Sequence, residues 1–172
     1  MNNLRLKLLK EEDENQFILD NQRAFKFGAQ QYFTESEMEE QYEEEGEIIS
    51  RETIYNSIHK DNTFAYRIIF NNEKVGGIVL SIEKDKGDLE LFFVLPECHS
   101  LGIGQASWKE IERIHSNVKI WETCTPTFEK RNIHFYVNKL GFHIVEYFNE
   151  HHHGKDDGPD MFEMYRFEKF VK

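Results

Sequence analysis

Val94-Leu95-Pro96-Glu97-Cys98-His99-Ser100-Leu101-Gly102-Ile103-Gly104 joins two different kinds of local pattern. Before and into it runs the nearly continuous apolar stretch Leu89 to Leu95, which reads as a buried central strand. After it a helix is expected from Gly104 to Ile114. A loop between a buried strand and a helix N-terminus offers unpaired backbone N–H groups and a partial positive charge, and its glycines let an anion approach without a Cβ in the way. Such a loop suits a diphosphate even in a chain without net positive charge. It has neither the Lys-Ser/Thr ending of a Walker loop nor the third glycine of the dinucleotide fingerprint, so both of those readings fall away. Taken alone, Gly-x-Gly fits a tight turn as well as a phosphate cradle.

Upstream of the loop, Phe64, Tyr66, Ile68 and Phe70 share one face of a strand, Asn71 to Lys74 makes a turn, and Val75 to Ile82 returns as the second arm of a hairpin. Lys84 to Gly87 turns again into the central strand. At the start of the chain Leu4, Leu6 and Leu8 alternate with Arg5 and Lys7, the pattern of a half-buried strand. Helices are predicted from about Glu12 to Phe27 with Gly28 as a stop, from the capping pair Ser36 and Glu39 to about Glu45, and from Ser50 to about His59, where Ile49 and Ile54 form a hydrophobic staple. Downstream come a strand Val118 to Glu122, a helix starting at Thr125-Pro126, and the strands His143 to Phe148 and Met161 to Phe167. The order predicts one α/β (α+β) domain over residues 1–172, with helices packed on one sheet.

With 172 residues, 39% of them hydrophobic, the chain is long enough for one sizeable core and short for two domains. It contains no run of about 18 apolar residues and no secretion-signal pattern at its N-terminus, which points to a soluble, cytoplasmic protein. A formal net charge of -11 disfavours nucleic acid and anionic membranes as partners, because phosphate binding rests mainly on Lys and Arg. Eight glutamates between residues 35 and 47 form either a solvated helix face or part of a site for a cationic acceptor. Cys98 and Cys124 match no disulfide framework and no zinc signature.

A second informative segment is Asn132-Ile133-His134-Phe135-Tyr136-Val137-Asn138-Lys139-Leu140-Gly141-Phe142. In its two segments the chain resembles the GCN5-related N-acetyltransferase (GNAT) superfamily, whose cofactor loop reads Arg/Gln-x-x-Gly-x-Gly/Ala, often with Val-x-Pro just upstream. Gly102, Gly104 and Val94-Leu95-Pro96 match, while His99 stands at the usual Arg/Gln position. The second segment is similar to the family's helix ending in Tyr-x-Lys-x-Gly-Phe, with one extra residue between Tyr136 and Gly141 that predicts a bulge or an offset. By motif the resemblance covers roughly residues 63–148, and by element order the whole chain.

The resemblance implies a mixed, mostly antiparallel sheet of about six to seven strands flanked by helices, acetyl-CoA as co-substrate, and direct attack by an amine within a ternary complex, with no metal. It implies backbone contacts to the coenzyme from Phe92, Phe93 and Val94, phosphate contacts from His99, Ser100, Leu101, Gly102, Ile103 and Gly104, and a further contact from Asn132. Tyr136 becomes the general acid that protonates the departing thiolate. Glu90 is the candidate base: strand alternation places it with Asp88 and Phe92, opposite Leu89, Leu91 and Phe93, and a carboxylate in so apolar a run calls for a reason. It is equally readable as an edge carboxylate paired with Lys or Arg. The acceptor is a primary amine, expected to be a small cationic molecule, with a protein amine as the other option; a homodimer through the last strands is also expected. Two rival functions are a non-catalytic acyl-CoA sensor and a metal-binding protein using His151, His152 and His153 with Asp156, Asp157 and Asp160.

Overall fold

The computed structural model describes residues 3–34, 36–37, 48–154 and 163–171. Strand β1 (Leu4–Leu8) leads through a short turn of 3-10 helix into α1 (Glu14–Ala29); α2 (Arg51–His59) follows. Next come β2 (Thr63–Phe70), β3 (Glu73–Glu83), β4 (Lys86–Val94), α3 (Ile103–Ile114) and β5 (Ile120–Pro126). Then α4 (Lys130–His134) continues into a π-helical turn, Phe135–Leu140, before β6 (His143–Phe148) and β7 (Met164–Phe170). The strands make one sheet in the order β1-β2-β3-β4-β5-β7-β6, antiparallel throughout except for β4 and β5. This is the expected mixed α/β architecture.

Local chemistry explains most of the connections. Asn71 and Asn72 both take positive φ (51° and 68°), so a two-residue turn of the primed type closes the β2–β3 hairpin. Ser50 caps α2 by accepting the Thr53 N–H at 3.0 Å, and Ile54 is fully buried with Ile49 packed beside it, as the staple requires. Helix α1 does not stop at Gly28. It runs through to Ala29, and the Glu129 carboxylate packs over Gly28, 3.7 Å from where a Cβ would be. Reciprocal capping bonds link Thr34 and Glu37: the Thr34 N–H donates to the Glu37 carboxylate at 2.8 Å, and the Glu37 N–H to Thr34 Oγ1 at 3.3 Å. Glu39, and the rest of the helix expected to about Glu45, lie outside the described residues.

Each face of the sheet carries its own core. On one, α3 and the π-helical turn cover Ile68, Ile78, Leu80, Leu89, Trp121 and Phe167, with Trp108 at the centre. On the other, α1 and α2 bring Phe17, Ile18 and Ile54 against Val79, Leu91 and Phe93. Leu89 and Leu91 therefore face opposite ways although two residues apart. A bulge causes this: Val79 pairs with Leu91 and Leu80 with Leu89, leaving Glu90 without a partner in the ladder. Simple alternation, which grouped Glu90 with Phe92, is thereby corrected. Phe92 faces Trp108 and Phe135, while Glu90 bonds Ser81 and Lys60.

Two further expectations change. Thr125 and Pro126 end β5 instead of opening a helix, which begins at Lys130. The last strand runs to Phe170; Met161 and Phe162 are outside the described residues. The extra residue between Tyr136 and Gly141 is absorbed as the π-helical turn, the bulge its length called for.

Candidate functional site

Strands β4 and β5 pair only over Lys86–Asp88 and Ile120–Glu122. Beyond that a single bond spans them, from Thr123 Oγ1 to the Leu89 carbonyl at 2.9 Å, and then the strands diverge. A cavity of about 460 Å³ lies beside β4 past this point, between the loop after β4, the C-terminal end of α1 and α4 with its π-helical turn. Its walls include Phe92, Phe93 and Val94 from β4 and His99, Ser100, Gly102, Ile103 and Gly104 from the loop. Asn132 and Tyr136 close it from the helix side. Leu101, half exposed, and Glu90 are not among the lining residues.

The backbone of β4 decides which groups address the gap. Leu95 N–H donates to the Val75 carbonyl at 2.8 Å, so Phe93 and Leu95 bond β3 while Phe92 and Val94 turn their N–H and C=O groups towards β5. In the loop, Ser100 and Gly102 both hold positive φ (65° and 73°), and α3 starts at Ile103 without a side-chain cap. Successive N–H groups in such a turn converge as an anion-binding concavity at the positive end of the helix. A Cβ on Gly104 would stand 2.9 Å from Phe135 Cζ, so glycine keeps that wall open. These features fit a diphosphate-bearing cofactor.

His99 is tied at both nitrogens. Nε2 is 2.8 Å from the Val94 carbonyl and Nδ1 is 2.8 Å from the Arg131 guanidinium, with Phe27 against the ring. A carbonyl only accepts and a guanidinium only donates, so the proton sits on Nε2 and the ring is neutral. Burial and then the charge of Arg131 hold its pKa below the usual histidine value, against the opposing pull of Val94 and Glu97.

Tyr136 is buried against Phe135, Phe142 and Phe167, with its phenol near Thr123 at the point where the strands part. Burial pushes its pKa well above the ordinary value. Glu90 Oε1 accepts from Lys60 at 2.7 Å and Ser81 at 2.9 Å. Asp88 nearby is pushed up to about 6, by desolvation first and then by repulsion from Glu90 and Glu122. The Asp88 side chain is exposed, so solvent screens both influences. Glu129, by contrast, lines the cavity, and burial raises its pKa. Cys98 has its thiol pushed up by burial, and exposed Cys124 is not a lining residue.

His151 and His152 are engaged with neighbouring side chains. His152 pairs with Glu146 and stacks on Phe148, His151 pairs with Glu150, and no group of three metal-binding side chains occurs among the described residues. Asp156, Asp157 and Asp160 lie outside them. A larger groove of about 710 Å³ runs between α1 and Pro96–Glu97, but it is shallow and its Arg23 and Glu97 are engaged with each other. No helix among the described residues is long and apolar enough to cross a membrane.

Residues 28–142, which span both segments singled out in the sequence, match the Acetyltransferase (GNAT) family. The chain belongs to the GNAT acetyltransferase family. This GNAT protein is 39% identical over 176 residues to the uncharacterized Bacillus subtilis protein YrkN, covering 97% of this chain and 91% of that one. Its fold is similar to that of PaiA N-acetyltransferase from Thermoplasma acidophilum, solved with coenzyme A (18% identity, TM-score 0.67, covering 98% and 99% of the two chains). It is also similar to spermidine N-acetyltransferase from Vibrio cholerae, solved with CoA and spermine (14% identity, TM-score 0.66, 99% and 96%). A GNAT acetyltransferase from Elizabethkingia anophelis with acetyl-CoA bound has the same fold at 15% identity (TM-score 0.67, 99% and 100%).

Three charged residues of the GNAT cavity escaped the sequence reading: Glu129, Arg131 and Lys139. Their only signal was proximity to Asn132 and Tyr136, and the misplaced helix start at Thr125 put Glu129 and Arg131 on the wrong turns.

Proposed function

We propose that this enzyme transfers an acetyl group from acetyl-CoA to a primary amine, a small cationic molecule, by direct attack within a ternary complex. The observation that carries the reading is the cavity beside β4 beyond its divergence from β5, lined by the uncapped N-terminus of α3 and by Tyr136. Acetyl-CoA supplies the acetyl group as an activated thioester. The Val94 N–H, turned into the gap, donates to the thioester carbonyl and stabilises charge as it develops. Tyr136, kept protonated by burial, gives its proton to the departing sulfur. Glu129 takes the proton of the acceptor ammonium, because it is the carboxylate lining the cavity and its carboxyl has no hydrogen-bond partner among the described residues. We place the base there rather than at Glu90, whose carboxylate is engaged by Lys60 and Ser81 outside the lining.

Thiol release with acetyl-CoA and a panel of polyamines and aminosugars tests the reaction. Glu129→Gln is expected to lower turnover about 100-fold and to abolish the acidic limb of the pH profile, which should lie above the ordinary 4.5 because burial raises this group. Glu90→Gln should keep most of its turnover. The opposite ranking returns the base to Glu90, and coenzyme binding without turnover on any amine supports a sensor instead.

A further inference from the structure

The coenzyme reading leaves an electrostatic question. Acetyl-CoA is a polyanion, yet the chain carries a net charge of -11 and the loop from Cys98 to Gly104 contains no Lys or Arg. Backbone N–H groups supply partial charges only. His99, which carries the ring of that loop, is neutral for a geometric reason: protonating Nδ1 would set a second donor against the Arg131 guanidinium 2.8 Å away. The ring does not act as the cation. It holds one.

We propose that Arg131 is the charged anchor for the coenzyme diphosphate, and that His99 positions it by accepting one guanidinium N–H while donating to the Val94 carbonyl. Three observations support this. Arg131 and Lys139 are the cationic side chains lining the cavity, and Arg131 reaches the loop itself. Among the described residues Arg131 makes no direct ion pair, although its charge acts on Glu129, in contrast to Arg23, Arg67, Arg113 and Arg166, each in contact with a carboxylate. Finally, His99 is held against rotation by the 2.8 Å bond to Val94 and by the Phe27 ring, so the Nδ1 lone pair fixes where the guanidinium sits before any ligand arrives. Four N–H groups of the fork stay available, and a guanidinium matches paired phosphate oxygens in shape as well as charge. Arg131 is thus a specificity residue of the coenzyme site, and His99 a positioning residue.

The assay is calorimetric titration of the full chain with CoA and with 3′-dephospho-CoA. Arg131→Gln should weaken both ligands by the same factor, about 10- to 100-fold for a lost charged contact, and should flatten the dependence of affinity on salt. His99→Phe preserves the ring beside Phe27 but neither nitrogen, and should weaken CoA several-fold. His99→Gln, whose carboxamide donates and accepts like the native tautomer, should restore wild-type affinity. In the Arg131→Gln background His99→Phe should add little, because the two act through one contact. A loss confined to CoA would assign Arg131 to the 3′-phosphate and overturn the proposal, as would unchanged CoA affinity in Arg131→Gln. A full additional effect of His99→Phe in that background, or no rescue by Gln, would overturn the positioning role. Wild-type protein that binds neither ligand would sink the coenzyme reading itself, an outcome separate from these.

Discussion

Replacing Tyr136 by Phe separates packing from chemistry at the centre of the site. The ring contacts Phe135, Phe142 and Phe167 at centroid distances of 5.8, 5.8 and 5.5 Å, and all of that survives the substitution. Only the hydroxyl goes, and with it at most one hydrogen bond; Thr123 beside it keeps its own bond to the Leu89 carbonyl. One such bond contributes about 1 kcal/mol net, which for a chain of this size shifts Tm by about 2–4 °C. The effect on turnover should be far larger. An acid that protonates the leaving thiolate accelerates the step roughly 100-fold or more, equivalent to at least about 2.7 kcal/mol of barrier. Because burial holds the phenol above its ordinary pKa of 10.0, wild-type activity should show no alkaline limb from this group up to about pH 10. Turnover by thiol release, CoA affinity by calorimetry and Tm by scanning calorimetry are measured together. The expected result is a fall in kcat of two orders of magnitude with CoA affinity within about twofold. A kcat within about threefold of wild type, or equal losses of turnover and affinity, would refute the assignment and leave Tyr136 as a packed aromatic.

Other substitutions probe the cradle and the scaffold. Gly104→Val pushes a Cβ to 2.9 Å from Phe135 Cζ, so the ring must move into the cavity; CoA affinity should fall beyond detection by calorimetry while far-UV circular dichroism stays native. Arg67→Met strips the buried carboxylates Asp13 and Asp20 of bonds at 2.7 Å and should cost about 3–5 kcal/mol in urea unfolding. Burial, the largest influence on Asp13, pushes its pKa up, but Arg67 and Lys74 together bring it below the usual 3.8. Its stabilisation is therefore complete above about pH 4 and lost as pH falls through the depressed native value, so acid unfolding of Arg67→Met should begin at a higher pH than in wild type. Asp88 runs the other way. With its pKa raised to about 6, its charged form opposes folding above that pH, and the penalty is relieved as pH falls towards 3.8. Asp88→Asn should therefore raise Tm at pH 8, with the gain vanishing near pH 4; a pH-independent change would refute the repulsion from Glu90 and Glu122.

The sheet, its hairpins and the loop were legible because each is specified locally. Positive-φ asparagines make the β2–β3 turn, Ser50 caps α2, and a strand followed by Gly102 and Gly104 declares a tight approach to a helix N-terminus. The extra residue before Gly141 even foretold an irregular helix. What failed were inferences about faces and ends. Strict alternation misgrouped Glu90 and Phe92, because a bulge becomes visible only when β3 is laid beside β4 and Leu80 is found opposite Leu89. Gly28 read as a stop signal, although α1 runs one residue further to Ala29.

Composition and pattern by themselves determined that this chain packs helices on one sheet and sets a glycine-containing loop between a buried strand and a helix N-terminus, because backbone turns, caps and glycine positions act over a few residues. The tertiary structure alone decided which charges meet in the gap. His99 and Arg131 are 32 residues apart, and Arg67 and Asp13 are 54 apart. Such pairs form when packing brings separate elements together and removes water from between them, and no short-range pattern records that distance.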